Sequence, residues 1–482
     1  MTVHISARLA WHDSSWNGCI CEFPLSNSSC MVHEYIRDGR DDEIETSEAT
    51  RHISKVKRYQ PPCSRDISVF SSSSSTIIHH DPVGWRHLPL ISEELPAYSF
   101  CTSPYGRMFS AELGVTWESD PEEQRRRLKE YFDSLEVRKS LVFFYTNHGN
   151  PLIEEKNQRL LIGVARIKEI GDQLYFPKTS RFPEENPLWS RRITIGYPKE
   201  TLRLPYQEYL SGGHDPSNII CEVPSAVREQ FSYVSEHLTD DQAVIVLERL
   251  LQSVKAVLEE EKVPGDWKSR INWIDKLLAE TWKNRGAYPG IGSVLEYLGV
   301  PRGTIYQLEV LRQVSSKGKD ARKHTFSILR GKRRPEKKFK KGFAVARGSW
   351  QGLPESRKEL LKTLCLFEFT KEQVERVMNS STRREAGIKG TDSEIIENPY
   401  ILCEQDEGGK DSNPIGLEQI DHGMIPRPDA AKAWSERVPI TPTDKRRVRG
   451  LLVDVLRSAA RAGDTLLSLE EALARVRKRL PE

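Results

Sequence analysis

No stretch of this chain approaches the roughly 18 consecutive apolar residues that a membrane helix needs. The longest apolar runs, Ser140–Tyr145 and Leu160–Ile167, are strand-sized. The opening residues, MTVHISARLAWHDSSW, place His and charge where a secretory leader needs an apolar core. The expectation is a cytoplasmic protein with no membrane partner. Net charge is also scarce. Lys and Arg number 72 against 69 Asp and Glu, a balance of +3 over 482 residues. This excludes a uniformly basic nucleic-acid coat and an acidic tail protein, but not a local basic patch. At 37% apolar and 29% charged residues, the chain is too apolar for wholesale disorder. Its length suggests roughly three domains.

Catalytic signatures are missing too. There is no G-x-x-x-x-G-K-[ST] loop. SSKGKDARK lacks the first Gly and the Ser/Thr that would hold magnesium, so no nucleotide cofactor is expected. G-x-S-x-G, H-E-x-x-H and G-x-G-x-x-G are absent as well. His79-His80-Asp81 lies in a Ser/Pro-rich stretch and reads as loop. No nuclease constellation stands out from the acidic and Lys triples that chance supplies in so charged a chain. An enzyme is therefore not the favoured class.

Composition divides the chain into four segments. Residues 1–115 are rich in Ser, Pro, His and Cys and read as loops with short strands. Residues 116–215 combine a helix after Asp120-Pro121 with strand-like runs at 140–145 and 159–167, and further strands in QLYFP and RRITIGYP. Residues 222–350 are helical. TDDQAVIVLERLLQSVKAVLEEE has helical apolar spacing with Thr239 as its cap. Residues 351–482 are helical again. The expected fold class is multidomain α+β, with a Cys-rich loop and strand segment, a small β-barrel-like domain, and a mainly α-helical C-terminal half.

Eight cysteines are present, and Cys19, Cys21, Cys30 and Cys63 crowd into the first 63 residues. In a reducing compartment they are not a disulfide framework. Thiolates held in loops suit zinc, and an iron–sulfur cluster would use the same residue type. Cys101, His12 or His33 are alternatives to Cys19 as fourth ligand. The spacing matches neither paired CxxC nor a ferredoxin run, and small buried residues are the competing reading.

Two features point to nucleic acid. Tyr288-Pro289-Gly290-Ile291-Gly292 is a Gly-X-Gly turn between helices, of the kind that offers backbone N–H groups to a phosphate. The same glycines would also serve an ordinary helix–helix turn. Residues 312–347 hold fourteen Lys/Arg against Asp320 and Glu336, a local charge of +12. The rest of the chain is thus net acidic. Lys332, Arg333, Arg334, Lys337, Lys338, Lys340 and Lys341 are the candidate phosphate contacts, with Phe326, Phe339 and Phe343 expected to stack on bases. A solvated face is the alternative.

Two resemblances follow from these motifs. Residues 286–480 resemble the region preceding the motor in RecD-like DNA helicases. Gly290-Ile291-Gly292, LLKTLCLFEFTKEQVERVM (360–378), Glu397-Asn398-Pro399-Tyr400-Ile401-Leu402, Ile420-Asp421, Asp444–Gly450 and Ala462–Leu467 carry it. The resemblance implies tandem helix-hairpin-helix units leading into a small winged-helix-like domain. It implies DNA binding in support of a motor. No ATPase segment follows in this chain, so the motor is expected on a separate polypeptide. Residues 138–205 resemble PUA-like or EVE-like domains through the strand ending at Tyr145 and the Gly163–Ile167 strand. That likeness implies a pocket for a modified base or strand end, with Tyr145, Arg166 and Trp189 as candidates. Core aromatics of any small barrel are the alternative.

The expected function is a non-catalytic DNA-binding subunit or scaffold. It would act with a separately encoded RecD-like helicase or nuclease in bacterial DNA processing, including anti-phage defence. A nuclease with an unrecognised site, and a protein–protein adaptor without DNA binding, are the alternatives.

Overall fold

Apolar strand runs and periodic helical runs occupy different parts of the chain, and the fold follows that division. The computed structural model describes residues 2–9, 77–79, 98–102, 104, 121–146, 159–173, 175–176, 186–187, 191–196, 199–231, 235–409, 413–427, 440–461, 463–477 and 479–480. These form two compact units, 2–280 and 281–482. No helix among the described residues is long and apolar enough to cross a membrane.

The first unit is α+β. Its strands are β1 (His4–Leu9), β2 (Ile77–His79) and β3 (Tyr98–Thr102), then, after helix α1 (Pro121–Asp133), β4 (Leu141–Thr146) and β5 (Leu160–Ile170). A short β6 (Tyr175–Phe176) and β7 (Asn186–Pro187) pair apart from the main sheet. β8 (Arg191–Ile195), β9 (Thr201–Arg203), helix α2 (Tyr206–Ser211) and β10 (His237–Leu238) follow. The sheet has eight strands in the order β10-β1-β4-β5-β8-β3-β2, with β9 also on β5. It is mixed: β1 runs parallel to β4, and the other pairs are antiparallel. β5 is buried continuously over Leu160–Ile167, as expected for a strand covered on both faces.

β1 and β3 come from the segment expected to be a separate Cys-rich domain. Both are members of this one sheet, so the sheet crosses the boundary drawn at residue 115. Helix α3 (Asp240–Glu260) starts at Thr239 with a capping box, Thr239 and Gln242 each bonding the other's backbone N–H. Buried Asp240 anchors the chain start. It accepts from the Thr2 N–H at 2.6 Å and lies 3.2 Å from His4 Nε2. His4 Nδ1 accepts the Leu141 N–H at 3.0 Å, so the ring proton is on Nε2 and is donated to Asp240. Helix α4 (Trp267–Arg285) completes the unit and ends in the next one.

The second unit is mainly helical, and no β-strand element lies among its described residues; the wings of a winged helix are therefore not among them. Its elements are α5 (Ile291–Tyr297), α6 (Gly303–Tyr306) running through a π turn into α7 (Arg312–Ser316), α8 (Ala321–Leu329) and α9 (Lys340–Gly352). Then come α10 (Glu355–Leu364), α11 (Lys371–Met378), α12 (Ser380–Glu385), α13 (Asp392–Glu397) and α14 (Tyr400–Gln405). α15 (Leu417–Met424), α16 (Lys445–Arg461) and α17 (Leu469–Arg477) close the fold. One continuous core runs from Ile291 and Leu295 through Phe343, Leu364 and Phe367 to Tyr400, Ile420 and Leu451.

Candidate nucleic-acid interface

The basic run folds into α8, a connecting loop, a single 3-10 turn at Lys337–Phe339, and α9. Asp320 caps α8 by accepting from the Lys323 N–H at 2.8 Å. Phe339 at the end of the 3-10 turn and Gly342, Phe343, Ala346 and Trp350 in α9 recur at helical spacing and are buried. That stripe seats the helix on the core. Gly342 allows the seating to be close, since a Cβ there would come within 2.9 Å of Pro301 Cδ.

This packing corrects the expectation that the aromatics stack on bases. Tyr306 sits edge-on to Phe339 at 5.0 Å and to Phe343 at 4.9 Å, and Phe326 packs on Trp350 at 5.0 Å. Phe326, Phe339 and Phe343 are thus core residues. The helical period that buries them turns the intervening lysines outward.

All seven candidate phosphate contacts, Lys332, Arg333, Arg334, Lys337, Lys338, Lys340 and Lys341, are exposed. Lys338 forms an ion pair with Glu309. Among the described residues, the other six have no ion-pair partner. Their ammonium and guanidinium groups face water with charge uncompensated. Arg347, in the same run, is spent differently. Its Nε donates to Ile328 O at 2.7 Å and Nη2 to Arg333 O at 2.8 Å, holding the α8–α9 loop. One basic residue outside the expected set joins this region. Exposed Arg302 lies in the left-handed region (φ 57) in the turn before α6, next to the Pro301 that abuts α9. The signal for it was the Gly299-Val300-Pro301-Arg302-Gly303 punctuation.

The Gly-X-Gly turn is placed otherwise than expected. Gly290, Ile291 and Gly292 are buried at the start of α5. The Gly290 N–H donates to Cys365 O at 3.1 Å, and the Gly292 N–H to Gln307 Oε1 at 2.5 Å. A Cβ on Gly290 would run into the Phe367 carbonyl oxygen. Neither glycine N–H is open to a phosphate. The turn is a close-packing device joining α5 to the α10–α11 loop.

The base-pocket candidates are also structural where they are described. Tyr145 is fully buried, with its ring edge-on to Phe231 at 5.2 Å. Arg166 is buried as well. It donates to Arg138 O at 3.1 Å and Glu280 Oε2 at 2.6 Å, and Glu200 lies at 3.4 Å. Trp189 lies outside the described residues, as do Cys19, Cys21, Cys30 and Cys63. Among the described residues, no group of His, Cys, Asp and Glu could hold a metal ion. Cys221, Cys365 and Cys403 are free, buried thiols. Burial pushes Cys221 and Cys365 up to about 12.

Three of the stretches quoted for the C-terminal resemblance, 397–402, 420–421 and 444–450, meet one another. The Tyr400 hydroxyl donates to Asp421 Oδ1 at 2.7 Å, and Arg447 Nε donates to both Asp421 oxygens at 3.1 and 3.0 Å. Arg446 bonds Asp444 and the Glu397 carbonyl. This network ties α14, α15 and α16 together. Its chemistry is that of a helix-to-helix brace, which needs Tyr, Asp and Arg at those positions whatever the unit binds.

No family model matches the chain, and no solved structure matches it. Among curated proteins, the "Uncharacterized protein MJ1519" of Methanocaldococcus jannaschii is 23% identical over 505 aligned positions. The alignment covers 97% of this chain and 38% of the relative, so the chain spans well under half the relative's length.

Proposed function

We propose that this protein is a non-catalytic DNA-binding subunit or scaffold that holds the phosphodiester backbone on the α8–α9 surface. The observation that carries the reading is the set of six exposed, unpaired Lys/Arg on one folded segment of a chain whose net charge is only +3. Releasing counterions from DNA is the favourable use of such a surface. In the reading that the C-terminal resemblance supports, the second unit presents DNA to a RecD-like helicase or nuclease in DNA processing, including anti-phage defence. A separately encoded motor is one arrangement compatible with this reading. The alignment with a much longer relative makes further sequence on the same polypeptide the arrangement to test against it. Cys19, Cys21, Cys30 and Cys63 are proposed to hold zinc or an iron–sulfur cluster, which elemental analysis of fresh protein tests.

The deciding experiment is DNA binding by fluorescence anisotropy at 50 and 200 mM salt. Affinity should fall steeply with salt, by on the order of a thousandfold for about six contacts. Changing Lys337, Lys338, Lys340 and Lys341 together to Ala should weaken it. Binding indifferent to salt, or to these substitutions, would sink the proposal.

A further inference from the structure

We infer that the α8–α9 surface takes the backbone of a DNA duplex in preference to a single strand, an inference that rests on the DNA-binding reading above. Proteins that hold single strands combine basic grooves with aromatic side chains on which bases stack. This surface has the first part and lacks the second. Among the described side chains, no Phe, Tyr or Trp is exposed. The three phenylalanines of the basic run point into the core, and the Tyr306 ring packs against two of them. Tyr288, half-buried at the edge of the same region, has the Arg322 guanidinium over its ring at 4.7 Å. A splayed base would find no platform here.

What remains is charge, and charge alone discriminates. Duplex DNA presents one phosphate per about 1.7 Å of its axis, twice the density of one strand, and condenses more counterions. Log affinity falls with log salt by about 0.9 per contact on a duplex and about 0.7 on a single strand. The six unpaired side chains are Lys332, Arg333, Arg334, Lys337, Lys340 and Lys341. For six contacts the slopes differ by about 1.2. Affinities that coincide near 1 M salt therefore separate by about tenfold at 0.1 M, in favour of the duplex.

The test compares a 24-base-pair duplex with a 24-nucleotide oligo(dT), each titrated with the full chain at several salt concentrations. The expected result is about tenfold tighter duplex binding at 0.1 M salt, with the steeper slope on the duplex. Equal or tighter binding of oligo(dT), with salt-dependent binding to both, overturns this inference and leaves the DNA-binding reading standing. Salt-independent binding, or none to either probe, overturns that reading and this inference with it.

Discussion

The Arg347 guanidinium donates a 2.8 Å hydrogen bond to the carbonyl oxygen of Arg333, fourteen residues earlier in the chain. Two members of one basic run thus have opposite duties: Arg347 shapes the loop, and Arg333 is displayed by it. Counting charges along the sequence treats them alike.

Removing each kind should give different salt behaviour. Ala at Lys337, Lys340 and Lys341 removes three uncompensated charges and should flatten the slope of log affinity against log salt by about 0.9 for each phosphate left without its cation. Adding Lys338→Ala should change it less, because Lys338 already pairs with Glu309. Arg347→Ala should leave the slope nearly as it is. It should instead destabilise the unit by about 1.5–3 kcal/mol, the range for hydrogen bonds made by a charged group. Anisotropy titrations alongside urea unfolding separate the two outcomes.

Gly290→Ala tests where the Gly-X-Gly turn does its work. The added methyl meets the Phe367 carbonyl, a backbone atom that cannot swing aside. Overpacking of this kind costs about 1–3 kcal/mol. Unfolding midpoints should drop while the salt slope for DNA stays unchanged. Unaltered stability together with a flatter slope would return the turn to a DNA-binding role.

The sequence makes some of this legible and hides the rest, for a physical reason. The Thr239 cap and the apolar period of α3 are local, and the residues themselves display them. The outward lysines of the basic run are visible in the same way. The phenylalanines between them read as base platforms when composition alone is weighed, because composition registers only aromatics among cations. For Phe339 and Phe343 it is the three-and-four spacing they share with Gly342, Ala346 and Trp350 that buries them. Pairing of β1 with β4 joins residues 4–9 to 141–146, and no local pattern announces it. The neighbours of Gly290 are equally remote in sequence, at Cys365 and Phe367. A phosphate-gripping turn and a packed turn have the same letters; only the partner of the N–H distinguishes them.

His324 should make stability depend on pH. Its ring is buried in α8, and neither nitrogen has a hydrogen-bond partner among the described residues. Burial lowers its pKa from the ordinary 6.5, Arg333 and Lys319 add to the lowering, and Glu336 opposes it. The unfolded chain therefore takes up a proton near pH 6.5 that the folded chain still refuses. Stability contributed by the neutral ring is present above pH 6.5 and is lost as pH falls through the lowered folded value. Urea unfolding at pH 7.5 and 5.5 should show this loss, and His324→Leu should flatten the difference. An unchanged difference in His324→Leu would remove His324 as its source.

The buried thiols should be inert. With Cys221 and Cys365 pushed up to about 12, almost no thiolate exists at pH 8. Cys403 is raised too, by burial first and by Asp421 next. Iodoacetamide followed by peptide mass mapping should find all three unmodified in native protein and modified after denaturation. Labelling of any of them in the folded state would mean that the fold opens locally around that thiol.

Arg376 and Asp406 offer the sharpest separation of stability from binding. Asp406 is fully buried and accepts from Arg376 at 2.6 Å, Ile415 N at 2.8 Å and Gly408 N at 3.1 Å. Arg376 also donates to Asn413 O at 2.8 Å, so the pair fastens α11 to the segment leading into α15. Desolvating two charges consumes most of what their attraction returns, so the pair itself is worth little against an apolar replacement. Breaking it is another matter, because one charge is then left buried and alone. Arg376→Met should cost about 3–5 kcal/mol, and adding Asp406→Asn should recover part of that loss, since the amide oxygen still accepts a backbone N–H without carrying charge. Both side chains are buried, away from solvent and hence from any phosphate. Under conditions where each variant is folded, the DNA salt slope should therefore match that of the unmodified chain. A flattened slope in Arg376→Met would show that this helical brace, and not only the α8–α9 surface, governs how the backbone is held.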